Sequence, residues 1–281
     1  MSTEQQKKNI RLVITDIDGT LVPAGSGDLN PAYFEVIRQL TDRGIAVAVA
    51  SGRHAVSVRK VFAPVLDRVW IVSQNGAVIE KNGSSRVLKP IPAEWIREFW
   101  QDLSSYPEVE GILDSAERTY APFGDTEMYR IVTEEYGFNT VATGGWAQIP
   151  EDVFSMTTVY HPRDCEAFCK KELVEKWKGR LEIFATGQIW ADCVMPGISK
   201  GLALEQICRE EGIDPECTAA FGDNMNDIPM IEAAGIGYAV DTARVEVRQA
   251  ADRVIPGYRE DGVLEELRKF LAEASDCAHF Q

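Results

Sequence analysis

Short, nearly all-apolar runs alternate with amphipathic stretches in this chain, and that alternation is the mark of βαβ units stacked into a parallel sheet. Residues 10–15, 45–50 and 69–72 read as buried strands. Between the first two, Asn30 can cap a helix, Pro31 suits its first position, and Phe34, Ile37 and Leu40 recur at helical spacing before Gly44. The pattern changes after Asn75-Gly76: residues 77–80 and 86–89, separated by residues 81–85, predict a hairpin around Asn82-Gly83. From Pro90 to about Met195 no clean alternation is visible, and five tryptophans (Trp95, Trp100, Trp146, Trp177, Trp190) fall in this stretch, which reads as a mixed α+β insert. At Ser199 the first pattern resumes. Helices are expected over 200–211, to about 234, over 243–250 and at the C-terminus, with strands at 218–221, 236–240 and 253–255. The expected fold is therefore α/β, a parallel-sheet core of residues 1–88 and 196–281 interrupted by an α+β domain at 89–195.

A length of 281 residues suits two modest domains, and 45% hydrophobic with 26% charged residues is ordinary globular usage. The 29 Lys and Arg against 44 Asp and Glu give a net charge of −15, a field that repels nucleic acid and anionic bilayers where no basic patch opposes it. Neither is expected as a partner. Residues 1–9 are polar and residues 10–14 are too few for a signal peptide's apolar region, so the chain is expected in the cytoplasm. The six cysteines (Cys165, Cys169, Cys193, Cys208, Cys217, Cys277) include no CxxC pair and read as reduced thiols.

Four polar clusters stand at the carboxyl ends of expected core strands: Asp16-Ile17-Asp18-Gly19-Thr20, Ser51-Gly52-Arg53, Ser73-Gln74-Asn75-Gly76, and Gly222 through Asp227. Ligands bind at that edge of an open parallel sheet. Asp16, Asp18, Asp223 and Asp227 would crowd negative charge together, and two unit charges at ~4 Å repel by about 4 kcal/mol even at an effective dielectric of 20. Something cationic must compensate. Carboxylates without His or Cys suit a hard divalent ion, Mg²⁺ in particular, with Lys200 and Arg53 adding positive charge. A metal, a lysine and a serine hydroxyl around a carboxylate describe a phosphoryl site.

These residues resemble those of the haloacid dehalogenase (HAD) superfamily, and most closely its Cof-type sugar phosphatases with a type IIB cap. The likeness rests on DIDGT at 16–20, SGR at 51–53, SQNGA at 73–77, SKG at 199–201 and GDNMND at 222–227, which span nearly the whole chain in the family's order. Thr15 stands where many relatives have Phe, and Ser51 where Thr is commoner and the hydroxyl is kept. The resemblance implies a Rossmann-like core with residues 89–195 as a cap that closes over it. It implies Asp16 as nucleophile, forming an aspartyl-phosphate, and Asp18 as the acid that protonates the leaving alcohol and then the base that activates water. Mg²⁺ would be held by the Asp16 carboxylate, the Asp18 main-chain carbonyl and Asp223. Ser51, Lys200 and Asn226 would bind the phosphoryl group, with Gly52 beside them, while Thr20 and Asp227 support the site. Arg53 and Asn75 either touch substrate or brace the loops. The expected activity is Mg²⁺-dependent hydrolysis of a small phosphate ester, most simply a sugar phosphate. A phosphomannomutase-like enzyme, a mannosyl-phosphoglycerate phosphatase-like enzyme and a non-catalytic phosphate-binding protein are the alternatives; oligomeric state and substrate are left open.

Other motifs are weaker. Gly197-Ile198-Ser199-Lys200-Gly201 fits the GxSxG nucleophile elbow, but the only histidine downstream of Ser199 is His279, two residues from the chain end. Cys165, Cys169 and His161 lack a fourth ligand for zinc. Asn82-Gly83-Ser84 reads as a turn rather than a glycosylation site, and the tryptophans as core rather than as sugar platforms.

Overall fold

The structure, a computed structural model, describes residues 9–186 and 188–277, the last four by backbone alone. Most of the polar N-terminus, the Cys277 side chain and His279 lie outside this description. The chain divides into two compact units, Met1–Ser84 with Ser199–Gln281, and Ser85–Ile198.

The first unit opens with β1 (Leu12–Asp16), α1 (Ala32–Asp42), β2 (Ala46–Ala50), α2 (Ala55–Val61) and β3 (Val69–Ser73), then β4 (Val78–Lys81) leading to β5 (Ser84–Val87). Every residue of β1 and β3 is buried, the signature of a parallel sheet covered on both faces. In α1, Tyr33, Val36, Ile37 and Leu40 form the buried stripe. The helix is assigned from Ala32, one residue later than Pro31 at its first position implies, yet Asn30 Oδ1 still accepts from the Ala32 amide (3.0 Å). The hairpin turn is shorter than the five residues expected: Asn82 and Gly83 alone form it, both at positive φ (51° and 76°), the two-residue geometry that matches strand twist.

The second unit contains α3 (Ala93–Leu103), β6 (Glu110–Ser115), β7 (Thr119–Ala121), α4 (Glu127–Arg130), β8 (Thr140–Ala142), β9 (Phe154–Tyr160), α5 (Cys165–Glu172), α6 (Val174–Trp177), β10 (Glu182–Ala185) and β11 (Trp190–Val194). Its sheet runs β10-β11-β9-β6-β7-β8, antiparallel except between β7 and β8. Trp100 and Trp177 are fully buried in its core, and Trp95 and Trp146 pack against the same cluster.

The first unit then resumes with α7 (Lys200–Glu211), β12 (Thr218–Gly222), α8 (Ile228–Ala233), β13 (Ile236–Val240), α9 (Val245–Ala250), β14 (Arg253–Ile255) and α10 (Gly262–Cys277). Gly212, at φ 61°, ends α7. The large sheet runs β14-β13-β12-β1-β2-β3-β4-β5, with β14 to β3 all parallel. Successive strands spread outward from β1 in both directions, so the β1/β12 boundary is the switch point where such sheets open a crevice at their carboxyl ends. No helix among the described residues is long and apolar enough to cross a membrane.

Candidate active site

The four polar clusters leave the carboxyl ends of β12, β1, β2 and β3, which run parallel, so one sheet edge receives them all. Asp16 is the last residue of β1 and is buried. Its Oδ1 accepts from Lys200 Nζ at 2.5 Å, while its Oδ2 is buried without a partner. Lys200 is wholly buried at the start of α7, where a helix dipole disfavours a cation; its second bond, to Asp227 Oδ1 at 2.6 Å, helps to hold it there. A solvated first-turn lysine is thereby excluded. Burial alone would lower the Lys200 ammonium, but Asp16 and Asp227 outweigh it and raise it.

Asp227 is fully buried, and its other oxygen accepts from the Asp223 and Asn224 amides (2.9 and 3.0 Å), closing a capping box with Asn224. Asp223 receives Thr20 Oγ1 at 3.2 Å. Gly19, at φ 88°, lets the loop after β1 come this close, since a Cβ there would stand 2.3 Å from Asp223 Oδ2. Carboxylate oxygens of Asp16, Asp223 and Asp227 lie within 4.8 Å of one another. Fully ionised, these three carboxylates would exceed the one ammonium by two negative charges. Burial, then Asp227, push the Asp16 carboxyl up to about 8 against the pull of Lys200, and the same two causes push Asp223 up to about 6. A dication removes both the excess charge and the orphaned Asp16 Oδ2. The all-oxygen donor set fits Mg²⁺, with Asp227 already engaged by Lys200 and two amides.

Asp18 stands apart from this trio, gripped by Arg53 through two bonds (Nε to Oδ2, 2.7 Å; NH2 to Oδ1, 2.5 Å). The Gly25 amide also donates to Asp18 Oδ1 (2.7 Å), and Arg53 reaches on to the Ser26 carbonyl. Ser51 is buried at the end of β2, and its Oγ accepts from the Arg53 amide (3.1 Å), leaving its own proton to donate. Backbone bonds from Gln74 to Arg53 and from Asn75 to Ser51 stitch the loops after β2 and β3 together. Asn75 Oδ1 accepts from Asn226 Nδ2 at 2.8 Å, and a Cβ on exposed Gly52 would come 3.1 Å from it. Gln74 and Asn75 both hold positive φ (51° and 55°), a costly conformation that fixes this loop.

Thus Asp16, Lys200, Asp223, Asp227 and Thr20 form one connected group, Asp18 and Arg53 a second, and Ser51, Gly52, Asn75 and Asn226 a third. The Asp18–Arg53 fork is the pairing that sequence reasoning left unresolved; nothing short of the path of residues 18–26 reveals it. Gln74 carries no signal for positive φ at all. Ser199 spends its hydroxyl oxygen on the Leu202 amide as the cap of α7, and His279 lies outside the described residues. Cys165 and Cys169 are buried 3.8 Å apart, and His161 Nδ1 is taken by the Arg163 and Asp164 amides.

The family model of haloacid dehalogenase-like hydrolases matches residues 13–267. A phosphoglycolate phosphatase of Methanoculleus marisnigri is 29% identical over 261 residues, covering 93% of this chain and 97% of that protein. A 5-amino-6-(5-phospho-D-ribitylamino)uracil phosphatase of Escherichia coli is 24% identical over 263 residues, covering 94% and 97%. A crystal structure from Eubacterium rectale superimposes with a TM-score of 0.88 at 32% identity over 93% of this chain and 99% of that one. A subclass IIB sugar phosphatase shares the fold, with a TM-score of 0.70 at 23% identity, covering 92% and 98%. With the model spanning core and insert alike, the chain belongs to the haloacid dehalogenase-like hydrolases.

Proposed function

We propose that this protein is a Mg²⁺-dependent phosphatase that cleaves a small phosphorylated metabolite, a sugar phosphate in the simplest case, through an aspartyl-phosphate on Asp16. The observation that carries this reading is the buried Asp16 carboxylate, with one oxygen on Lys200 and the other unpartnered beside Asp223. Asp16 attacks phosphorus as the bond to the leaving oxygen breaks, and the Asp18 carboxylic acid gives that oxygen its proton. Asp18, then a carboxylate, takes a proton from water as the water attacks phosphorus, which frees phosphate and restores Asp16. The Arg53 fork suits Asp18 as a carboxylate, the form that takes the proton from water, and opens for the acid step so that one Asp18 oxygen can carry the proton. Lys200, the Ser51 hydroxyl and the Asn226 amide, steadied by Asn75, receive the phosphoryl oxygens. The Asp16 carboxylate, the Asp18 carbonyl and Asp223 would hold Mg²⁺, which would supply electrostatic stabilisation that offsets repulsion between carboxylate and phosphate. The insert, residues 89–195 in the sequence reading, serves as the cap. The relatives' names support a small-metabolite phosphomonoester as the substrate class.

The test is phosphate release from a panel of sugar phosphates, phosphoglycolate and nucleotides. Release is expected from wild type with Mg²⁺, none with EDTA, and none from Asp16→Asn. Inertness toward every ester with Mg²⁺ present overturns the reading.

A further inference from the structure

A cavity of about 440 Å³ lies wholly within the second unit, and no residue of the catalytic rim lines it. That volume suits a small molecule. Its walls carry Tyr106, Phe123, Trp146 and Tyr160. Three of these rings pack against other rings: Trp146 and Trp100 meet edge to face (centroids 5.2 Å apart), as do Tyr106 and Phe168 (5.0 Å), and Tyr160 is tilted against Trp190 (4.9 Å). Phe123 is 40% exposed, more than a phenyl ring ordinarily leaves in water.

The charged lining is acidic. Glu108, Glu110 and Glu127 face a single basic lining residue, Arg163, which is already paired with Glu108. Glu110 Oε2 is buried and has no hydrogen-bond partner. Burial pushes the Glu110 carboxyl up, and Glu127 and Asp125 add to the rise against the bonds from Thr126 and the Met128 amide. Glu127 Oε2 receives the Tyr160 hydroxyl at a long 3.4 Å. An anion would be repelled here, and a neutral apolar ligand would cover the Glu127 carboxylate without supplying a counter-charge. A compact hydrated metal ion would make no use of the rings. An ammonium group satisfies the carboxylates, and the aromatic faces attract both its charge and the carbons attached to it.

We propose that this cavity binds a protonated organic amine, with its ammonium at the Glu127 carboxylate, Glu110 adding negative charge nearby, and its carbon skeleton against Tyr160, Trp146 and Phe123. The proposal stands independently of the phosphatase chemistry.

Calorimetric titration of the full chain with putrescine and with phenethylamine tests it, at about 0.15 M salt so that the overall negative field is screened. At least one amine is expected to bind saturably at a single site, and 1,4-butanediol, which lacks the charge, is not. Glu127→Gln should weaken binding about tenfold or more, by loss of a charge-assisted bond. Phe123→Ala should weaken it about threefold. Glu246→Gln, on α9 of the other unit, should leave it unchanged. Equal affinity in every variant, or no saturable binding of either amine, overturns it.

Discussion

Lys200 is one buried positive charge serving three carboxylates, two of which it touches. Removing it leaves those carboxylates uncompensated, so Lys200→Met should destabilise the metal-free protein by about 3–5 kcal/mol, the usual cost of breaking a buried ion pair from one side. Urea denaturation measures this, and added Mg²⁺ should recover part of the loss. An unchanged midpoint would mean that the two ion pairs of Lys200 contribute nothing to the stability of the metal-free core. Arg53 tests a different point. Arg53→Lys keeps the charge and loses the two-pronged grip on Asp18. The expected result is a fall in kcat of roughly tenfold or more with KM little changed, because Asp18 would be misplaced rather than lost. Steady-state kinetics decide it, and an undiminished kcat would mean that Asp18 needs no such partner.

At the scale of elements, β6, β9 and β11 bring Asp114, Thr158 and Asp192 together, all three buried. Thr158 Oγ1 lies 3.3 Å from an oxygen of each aspartate, yet a hydroxyl has one proton to give. The second aspartate must bring its own. Burial, with Asp192 adding to it, pushes Asp114 up to about 8, and burial pushes Asp192 up to about 7. Both lie above the unfolded value, so the folded state binds more protons between about pH 4 and 8, and stability falls as pH rises through that window. Asp114→Asn replaces the proton-dependent partner with a permanent donor. It should therefore raise the melting temperature more at pH 8 than at pH 5.5; equal shifts at both would refute shared protonation.

These elements also divide by how plainly the chain announces them. The core strands are legible because a parallel sheet buries both faces and leaves an apolar run that turns polar only at the carboxyl end, as in LVITD and VWIVS. α7 is legible at both ends, from Ser199 as a cap to Gly212 at positive φ. Three-residue β7 and β8 carry too few residues for any period to show, and the π-helical turn at Ile131–Glu135 has no local signal. In the site, the acids can be read because each of their motifs sits at the end of a core strand, and Lys200 because it opens a helix in the order the family resemblance implies. The Asp18–Arg53 fork and the Asn75–Asn226 bond depend on loop paths that no spacing encodes.

For the whole molecule, the excess negative charge of the site is one part of a chain that carries −15 overall. The raised Asp16 and Asp223 carboxyls mean that the metal competes with protons, so Mg²⁺ should bind more tightly as pH rises from about 5 to 8. In EDTA these two groups should make the protein less stable across that range, by the same sign as Asp114 and Asp192. Mg²⁺ should remove the part owed to Asp16 and Asp223 and leave the part owed to the second unit. Melting curves at several pH values, with EDTA and with Mg²⁺, read the difference directly; parallel curves would place no titrating carboxylate at the metal.

The central claim is that phosphorus passes through Asp16. Its most direct measurement is acid quenching of the Mg²⁺-loaded enzyme during turnover of a radiolabelled phosphate ester, followed by location of the label in the peptides. The expected result is a single hydroxylamine-labile phosphoryl group on Asp16, absent with EDTA. Phosphate release by Asp16→Asn at the wild-type rate, with no label on Asp16 of the wild type, would contradict the account.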